Sequence, residues 1–258
     1  MGHHRARKRF GQHFLNDPGI IDAIIGAVHA TEDDIVVEIG PGQGAITDAL
    51  ARRAGHLHAV ELDRDLAARL RTRYADSANV TVHEADALKF DFGALGERIR
   101  IVGNLPYNIS TPLLFHVLEW SELVTDMHFM LQQEVVKRMA AVPGGKAWGK
   151  LSIMCQYRCA VTPLFDVAPE AFSPSPKVQS AIVRLVPHRE PPVQIDNMES
   201  FRQLVNQAFS QRRKTLRNSL RNMIDASNME AAGIDPGARP ETLGLAEFAK
   251  LSQLIDKK

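Results

Sequence analysis

Over the first three quarters of the chain, apolar residues fall into short β-branched runs separated by stretches of helical spacing. Such runs occupy residues 35–39, 57–62, 80–83, 99–102 and 127–131, and two more lie near 161–167 and 181–186. Between them, residues 46–53, 66–74 and 113–119 carry apolar positions three and four apart, the period of one helix face. Apolar runs alternating with helices from about residue 20 to 187 predict a parallel sheet with crossover helices, since parallel neighbours need connections long enough to hold a helix. The pattern therefore predicts an α/β, doubly wound, seven-stranded domain.

Pro187, Pro191 and Pro192 interrupt this pattern and mark a linker. Beyond it no strand pattern survives, and residues 200–223 place Phe201, Leu204, Val205, Ala208 and Phe209 at helical spacing. Two domains are expected: residues 1–187, holding the sheet, and residues 193–258, small and all-helical.

Composition narrows the setting. The 258 residues are 45% hydrophobic and 24% charged, the balance of a globular chain. No stretch approaches the ~20 apolar residues of a membrane span, and the basic N-terminus leads into Phe10-Gly11-Gln12-His13 instead of a secretory apolar run. A cytoplasmic monomer without membrane contact is expected. Cys155 and Cys159 lie four apart in a segment that reads helical; they are too few for a disulfide framework or a metal site and read as buried small residues. The net charge of +1 conceals two basic clusters without an acid: Arg5, Arg7, Lys8 and Arg9, and then Arg212, Arg213, Lys214, Arg217 and Arg221. Concentrated charge on a near-neutral chain points to a localised polyanion contact.

The candidate chemistry sits where the predicted strands end. The run 35–39 enters Gly40-Pro41-Gly42-Gln43-Gly44, whose spacing is too tight for the G-x-G-x-x-G that seats a pyrophosphate. Alone, it is either a ligand loop or only a tight turn. Some 20 residues on, the next strand ends at Glu61, suited to accept both hydrogen bonds of a ribose diol or, otherwise, a solvated strand-end acid. The third ends at Asp86, suited to accept from an adenine amine or to cap a helix. A glycine loop with two strand-end acids predicts adenosine binding without pyrophosphate, which S-adenosylmethionine satisfies.

The fourth strand ends in Gly103-Asn104-Leu105-Pro106-Tyr107-Asn108. An exocyclic adenine amine is a poor nucleophile because its lone pair is delocalised into the ring. Two acceptors aimed at its hydrogens, the Asn104 side-chain oxygen and a backbone carbonyl near Pro106, would favour the pyramidal amine that forms as the bond to methyl develops. Proline fixes φ and holds that carbonyl. Tyr107 offers a face on which a flipped base stacks. Read plainly, the same residues make a strand-ending turn with a core tyrosine.

These stretches, with Arg7–Asp17, Phe172–Ser180 and Gln211–Asn218, resemble the small-subunit ribosomal RNA adenine N6,N6-dimethyltransferase family over nearly the whole chain. The resemblance implies a Rossmann-like S-adenosylmethionine-dependent methyltransferase domain followed by a helical RNA-binding domain. The implied substrate is two adjacent adenosines in the hairpin loop near the 3′ end of small-subunit rRNA, each methylated twice, with a role in small-subunit biogenesis and no metal. It implies that His13, Leu15, Gly40, Gly42, Glu61, Asp86 and Asn104 contact the cofactor, and that Phe172 closes on the base opposite Tyr107, with Leu105 and Pro106 completing the catalytic stretch. Phe172 can also be read as a core phenylalanine. Arg213, Arg217 and Arg221 recur every four residues, with Lys214 and Asn218 beside them, predicting one helix with a basic stripe for phosphates, or a solvated face. The alternatives are a large-subunit rRNA methyltransferase of the macrolide-resistance type, a DNA adenine methyltransferase, or a non-catalytic assembly or transcription factor on the same fold.

Overall fold

The computed structural model describes residues 13–211 and 213–255. Its strands are β1 (Phe14–Leu15), β2 (Ile35–Ile39), β3 (His56–Glu61), β4 (Val80–Glu84), β5 (Ile99–Asn104), β6 (Val124–Gln132), β7 (Cys159–Val167), β8 (Phe172–Ser173) and β9 (Ser180–Pro187). Seven form one sheet in the order β4-β3-β2-β5-β6-β9-β7. From β2 the chain steps outward to β3 and β4, then returns to the other side of β2 to lay down β5 and β6. This reversal opens a crevice beyond the adjacent ends of β2 and β5, where open α/β sheets bind ligands.

The expected sheet is present, with one difference in direction. Strands β2 to β6 pair in parallel, whereas β9 runs antiparallel to β6, with Met127 opposite Leu185 and Gln132 opposite Ser180. Strand direction leaves no mark on an apolar run, since a central strand buried on both faces reads the same either way. A two-stranded ribbon was also absent from the pattern: β1 pairs antiparallel with β8, Leu15 opposite Phe172. Two residues per strand are too few to show a period. Cys159, expected in a helix with Cys155, instead opens β7; both cysteines are buried.

The helix Pro18–Val28 starts sharply because the Asp17 carboxylate accepts from the Ile20 N–H at 3.0 Å and proline opens its first turn. It buries Ile24, Ile25 and Val28 in a cluster with Val36, Leu57, Val102 and Met130. Arg100 in β5 ties that core to its neighbours. Its guanidinium donates to both oxygens of Asp126 at 2.9 and 2.8 Å, to Asp34 at 3.1 Å and to the Val28 carbonyl at 2.6 Å.

Among the described residues, those up to Val136 together with Thr162–Pro187 form one compact unit, and Lys137–Val161 with those from His188 onward form a second. The prolines at 187–192 mark one crossing; the excursion at 137–161 begins inside a helix and ends inside a strand, so no composition shift announces it. In the second unit, helices Met198–Ala208 and Leu245–Ile255 bury Phe201, Leu204, Val205, Phe248 and Leu251, and the Trp148 indole donates to the Leu243 carbonyl at 2.8 Å.

The expected helix over 200–223 is broken. Met198–Ala208 stops at Phe209, and after a turn only Leu216–Ser219 is helical, with Thr215 extended before it. The Leu216 and Arg217 N–H groups donate to Ala238 and Pro236 at 2.9 Å, so tertiary partners set the chain direction there. Arg213, Arg217 and Arg221 therefore do not share one helix face, although each is exposed, as is Lys214. Arg212 and the cluster Arg5, Arg7, Lys8 and Arg9 lie outside the described residues.

Candidate active site

A cavity of about 330 Å³ occupies the crevice at the ends of β2, β3 and β5. The loop after β2 reaches it in conformations that favour glycine: Gly40 has φ +66° and Gly42 φ +59°, and a Cβ on Gly42 would lie 3.2 Å from the Phe14 ring. Glu61 holds this loop. One carboxylate oxygen accepts from the Gly42 N–H at 3.0 Å and the other from the Asp63 N–H at 2.8 Å. Glu61 is 6% exposed. Burial raises its pKa, and the two N–H groups oppose that shift by favouring the charged form. Each oxygen still has lone-pair capacity for a ligand hydroxyl. Asp86 also lines the cavity, with one oxygen accepting from the Leu88 N–H at 3.0 Å, so its local capping role and its place at the site coexist.

A fourth group escaped sequence reasoning. Glu38, inside β2, lines the cavity at 1% exposure. Burial pushes its pKa up to about 8, with Glu61 and Asp48 adding repulsion. The nearby Thr47 hydroxyl favours the ionised form, yet Glu38 Oε2 and Thr47 Oγ1 both lack a partner in good hydrogen-bond geometry. The available signal was an acid inside an apolar run, Val37-Glu38-Ile39, where an unpaired charge is costly.

On the β5 side, Asn104 donates through Nδ2 to the His13 carbonyl at 3.1 Å. A carbonyl can only accept, so the amide nitrogen must face His13 and Oδ1 the opposite direction. The following turn is fixed by backbone bonds: Leu105 N–H to the Met130 carbonyl at 3.2 Å and Ile109 N–H to the Pro106 carbonyl at 3.1 Å. The Pro106 oxygen retains a second lone pair. Tyr107 is anchored at its hydroxyl by Ser180 and at its carbonyl by the Ser110 hydroxyl at 3.2 Å. The His13 ring stacks on it, centroids 5.8 Å apart and planes 26° from parallel. His13 Nδ1 donates to the Pro174 carbonyl at 2.7 Å.

The structure thus brings His13, Leu15, Gly40, Gly42, Glu61, Asp86, Asn104, Leu105, Pro106 and Tyr107 to one cavity. Phe172 is 3% exposed within the apolar cluster that holds Leu15 and Ile24; it does not itself line the cavity, but its backbone pairs with Leu15, which does. The candidate phosphate contacts Arg213, Lys214, Arg217 and Arg221 belong to the second unit.

Charge decides what this cavity accepts. Four acidic residues, Glu38, Glu61, Asp63 and Asp86, line it, Glu38 in its protonated form up to about pH 8, and among the described residues no lysine or arginine does. Such a wall repels phosphates and suits a phosphate-free ligand with cationic groups. S-adenosylmethionine, an adenosine bearing a sulfonium and an ammonium, fits, and the glycine loop admits its close approach.

Sheet order, glycine loop and strand-end acids together define an S-adenosylmethionine-dependent methyltransferase. Residues 3–257 match the family model for ribosomal RNA adenine dimethylase, and the chain belongs to that family. It is 54% identical over 259 residues to ribosomal RNA small subunit methyltransferase A of Pseudomonas putida, spanning 99% of this chain and 97% of that one. Among solved structures, a dimethyladenosine transferase from Plasmodium falciparum superposes with a TM-score of 0.82 at 28% identity, covering 95% of this chain and 98% of that one. The 23S rRNA methyltransferase ErmE superposes with 0.74 at 27% identity, covering 94% and 99%. The fold is therefore shared between enzymes of the two ribosomal subunits and does not itself choose between them.

Proposed function

We propose that this enzyme dimethylates the N6 amines of two adjacent adenosines in the hairpin loop near the 3′ end of small-subunit rRNA, acting as a cytoplasmic monomer during subunit biogenesis. The observation that carries the chemistry is the anchored Asn104 amide, its nitrogen engaged by His13 and its oxygen left for a substrate N–H. The small-subunit assignment is supported by relatives more than half identical over 97% of their length.

Glu61 and Asp86 would hold the cofactor's hydroxyl and amine hydrogens, Gly40 and Gly42 would let the backbone meet it, and Leu15 and His13 would cover it. When bound, S-adenosylmethionine supplies an electrophilic methyl group. Asn104 Oδ1 and a carbonyl at the Leu105-Pro106 turn accept from the two amine hydrogens. That interaction strengthens as the nitrogen becomes pyramidal and positive, so it stabilises the transition state more than the ground state. Tyr107 stacks the flipped adenine. The methylated nitrogen is acidic enough to lose its proton to water, so no dedicated base is required.

In the second unit, Arg213, Lys214, Arg217 and Arg221, with Arg212 from the sequence, contact phosphates and recognise the shape of the RNA. The test is primer extension across rRNA from a strain lacking the gene, with add-back of purified enzyme. Two adjacent small-subunit adenines should lose their blocks and regain them. Restoration of a block in large-subunit RNA instead would overturn the assignment.

A further inference from the structure

We propose that Ser180 is a positioning residue for methyl transfer, holding the Tyr107 ring in the plane on which the target base stacks. This rests on the reading of Tyr107 as the stacking face. The Tyr107 hydroxyl and Ser180 Oγ lie 2.5 Å apart. The two residues come from very different settings. Tyr107 sits half-buried in the turn after β5, its ring placed by two side-chain torsions and stacked on one side against His13. Ser180 is fully buried at the start of β9, its backbone in register with Gln132 of β6, and the Gln133 N–H donates to the Gln179 carbonyl at 3.0 Å. A strand paired on both sides, between β6 and β7, thus supplies the fixed end, and a bond at the far tip of the ring limits rotation of the side chain.

The sequence around Ser180 supports this role. The next residues of β9, Ala181, Ile182 and Val183, are buried and apolar, as a strand flanked on both sides requires. A hydroxyl at a fully buried position is in most cases hydrogen-bonded. Here that partner is the Tyr107 hydroxyl. Burial raises the pKa of the Tyr107 phenol, which keeps the hydroxyl protonated and able to share this bond. Ser180 touches neither reacting atom; it acts through the ring.

The test compares Ser180→Ala, Tyr107→Phe, the double variant and Tyr107→Ala in methylation of precursor small-subunit particles, with thermal melting of each. Each of the first two should lower kcat about 10-fold, the loss from one buried hydrogen bond. KM for RNA and for cofactor should stay within about twofold, because ground-state binding is not what the tether supplies. The double variant should fall no further than the worse single, since both cut the same bond. Additive losses, or a wild-type kcat in Ser180→Ala, would overturn the proposal. Should Ser180→Ala fail to fold, Tyr107→Phe removes only the phenolic oxygen, and a wild-type kcat there overturns it equally. Tyr107→Ala separates this from the reading beneath it: full activity would sink base stacking itself. A large loss in Tyr107→Ala with none in Tyr107→Phe would leave stacking standing and remove the role of Ser180.

Discussion

The Asn104 side chain donates to the main-chain oxygen of His13 at 3.1 Å, so the residue just before the two-residue strand β1 sets which way this amide faces. That strand is itself held by β8 and by the bond from His13 Nδ1 to Pro174. The orientation of Asn104 is thus set by the ribbon as much as by β5, which carries it.

Asn104→Ala should fold and bind cofactor with modest loss, but methyl transfer should fall at least ~100-fold, comparable to removing one preorganised hydrogen-bonding group at a developing charge. Single-turnover rates measure this directly. A rate near wild type would mean that the amide oxygen is not an acceptor for the substrate amine.

Glu61→Ala should weaken cofactor binding by calorimetry, through the loss of a charged acceptor worth ~1.5–3 kcal/mol per hydrogen bond. The structure adds a second cost: the Gly42 and Asp63 N–H groups lose their partner as well. Glu61→Gln keeps a single carbonyl oxygen and should fall between alanine and wild type. Unchanged affinity in both variants would require a different ligand geometry at the glycine loop.

Much of this site was legible because its chemistry is local. Gly40, Glu61, Asp86 and Asn104 each end or follow a strand, and a parallel sheet gathers strand ends at one edge whatever the details of packing. Glu38 was missed for the converse reason: it sits inside an apolar run, and only the finished sheet shows that its carboxyl lines the cavity. That Phe172 joins the apolar cluster beside the cavity was not legible either, because a proline-rich stretch looks the same whichever way the side chain beside it packs. The basic stripe failed on periodicity. Residues every four apart share a face only if the helix is continuous, and the bonds from Leu216 and Arg217 to the 236–238 segment interrupt it.

Glu38 gives a pH prediction with a definite sign. Its pKa rises on folding from 4.5 to about 8, so the folded chain holds a proton that the unfolded chain has released. The stability linked to this group is complete below the unfolded pKa and is lost as pH rises through about 8. Denaturation midpoints of wild type and Glu38→Gln should therefore diverge with rising pH in favour of the glutamine variant. A constant difference across that window would mean that Glu38 is ionised throughout.

Arg100→Ala tests the buried ion network. Asp126 is 2% exposed, and removing the guanidinium that chelates it leaves a buried carboxylate with longer contacts to Arg184 at 3.3 Å and to His128 Nδ1 at 3.8 Å. Breaking one side of such a pair costs ~3–5 kcal/mol. Urea denaturation should show a loss in that range. A loss below ~1 kcal/mol, the range of exposed pairs, would place Asp126 in effective contact with water.

The exposed arginines of the second unit separate RNA docking from chemistry. Replacing Arg213, Arg217 and Arg221 with Gln removes three charges from two turns and a four-residue helix, while the glycine loop and Asn104 stay intact in the other unit. If each contacts a phosphate, counterion release makes the dependence of log K on log salt shallower by roughly 0.7 per lost contact on single-stranded RNA. Cofactor affinity should not change, because none of the three lines the cavity. RNA binding titrated across several salt concentrations, beside cofactor calorimetry on the same variant, reads both quantities. If the three contribute equally, single variants should each shift the slope by about a third of the triple variant's change. An unchanged slope in the triple variant would assign these residues to a solvated surface and move the footprint to Arg5, Arg7, Lys8 and Arg9. Loss of cofactor binding would instead show that the second unit supports the catalytic fold, and the division of labour between the two units would fail.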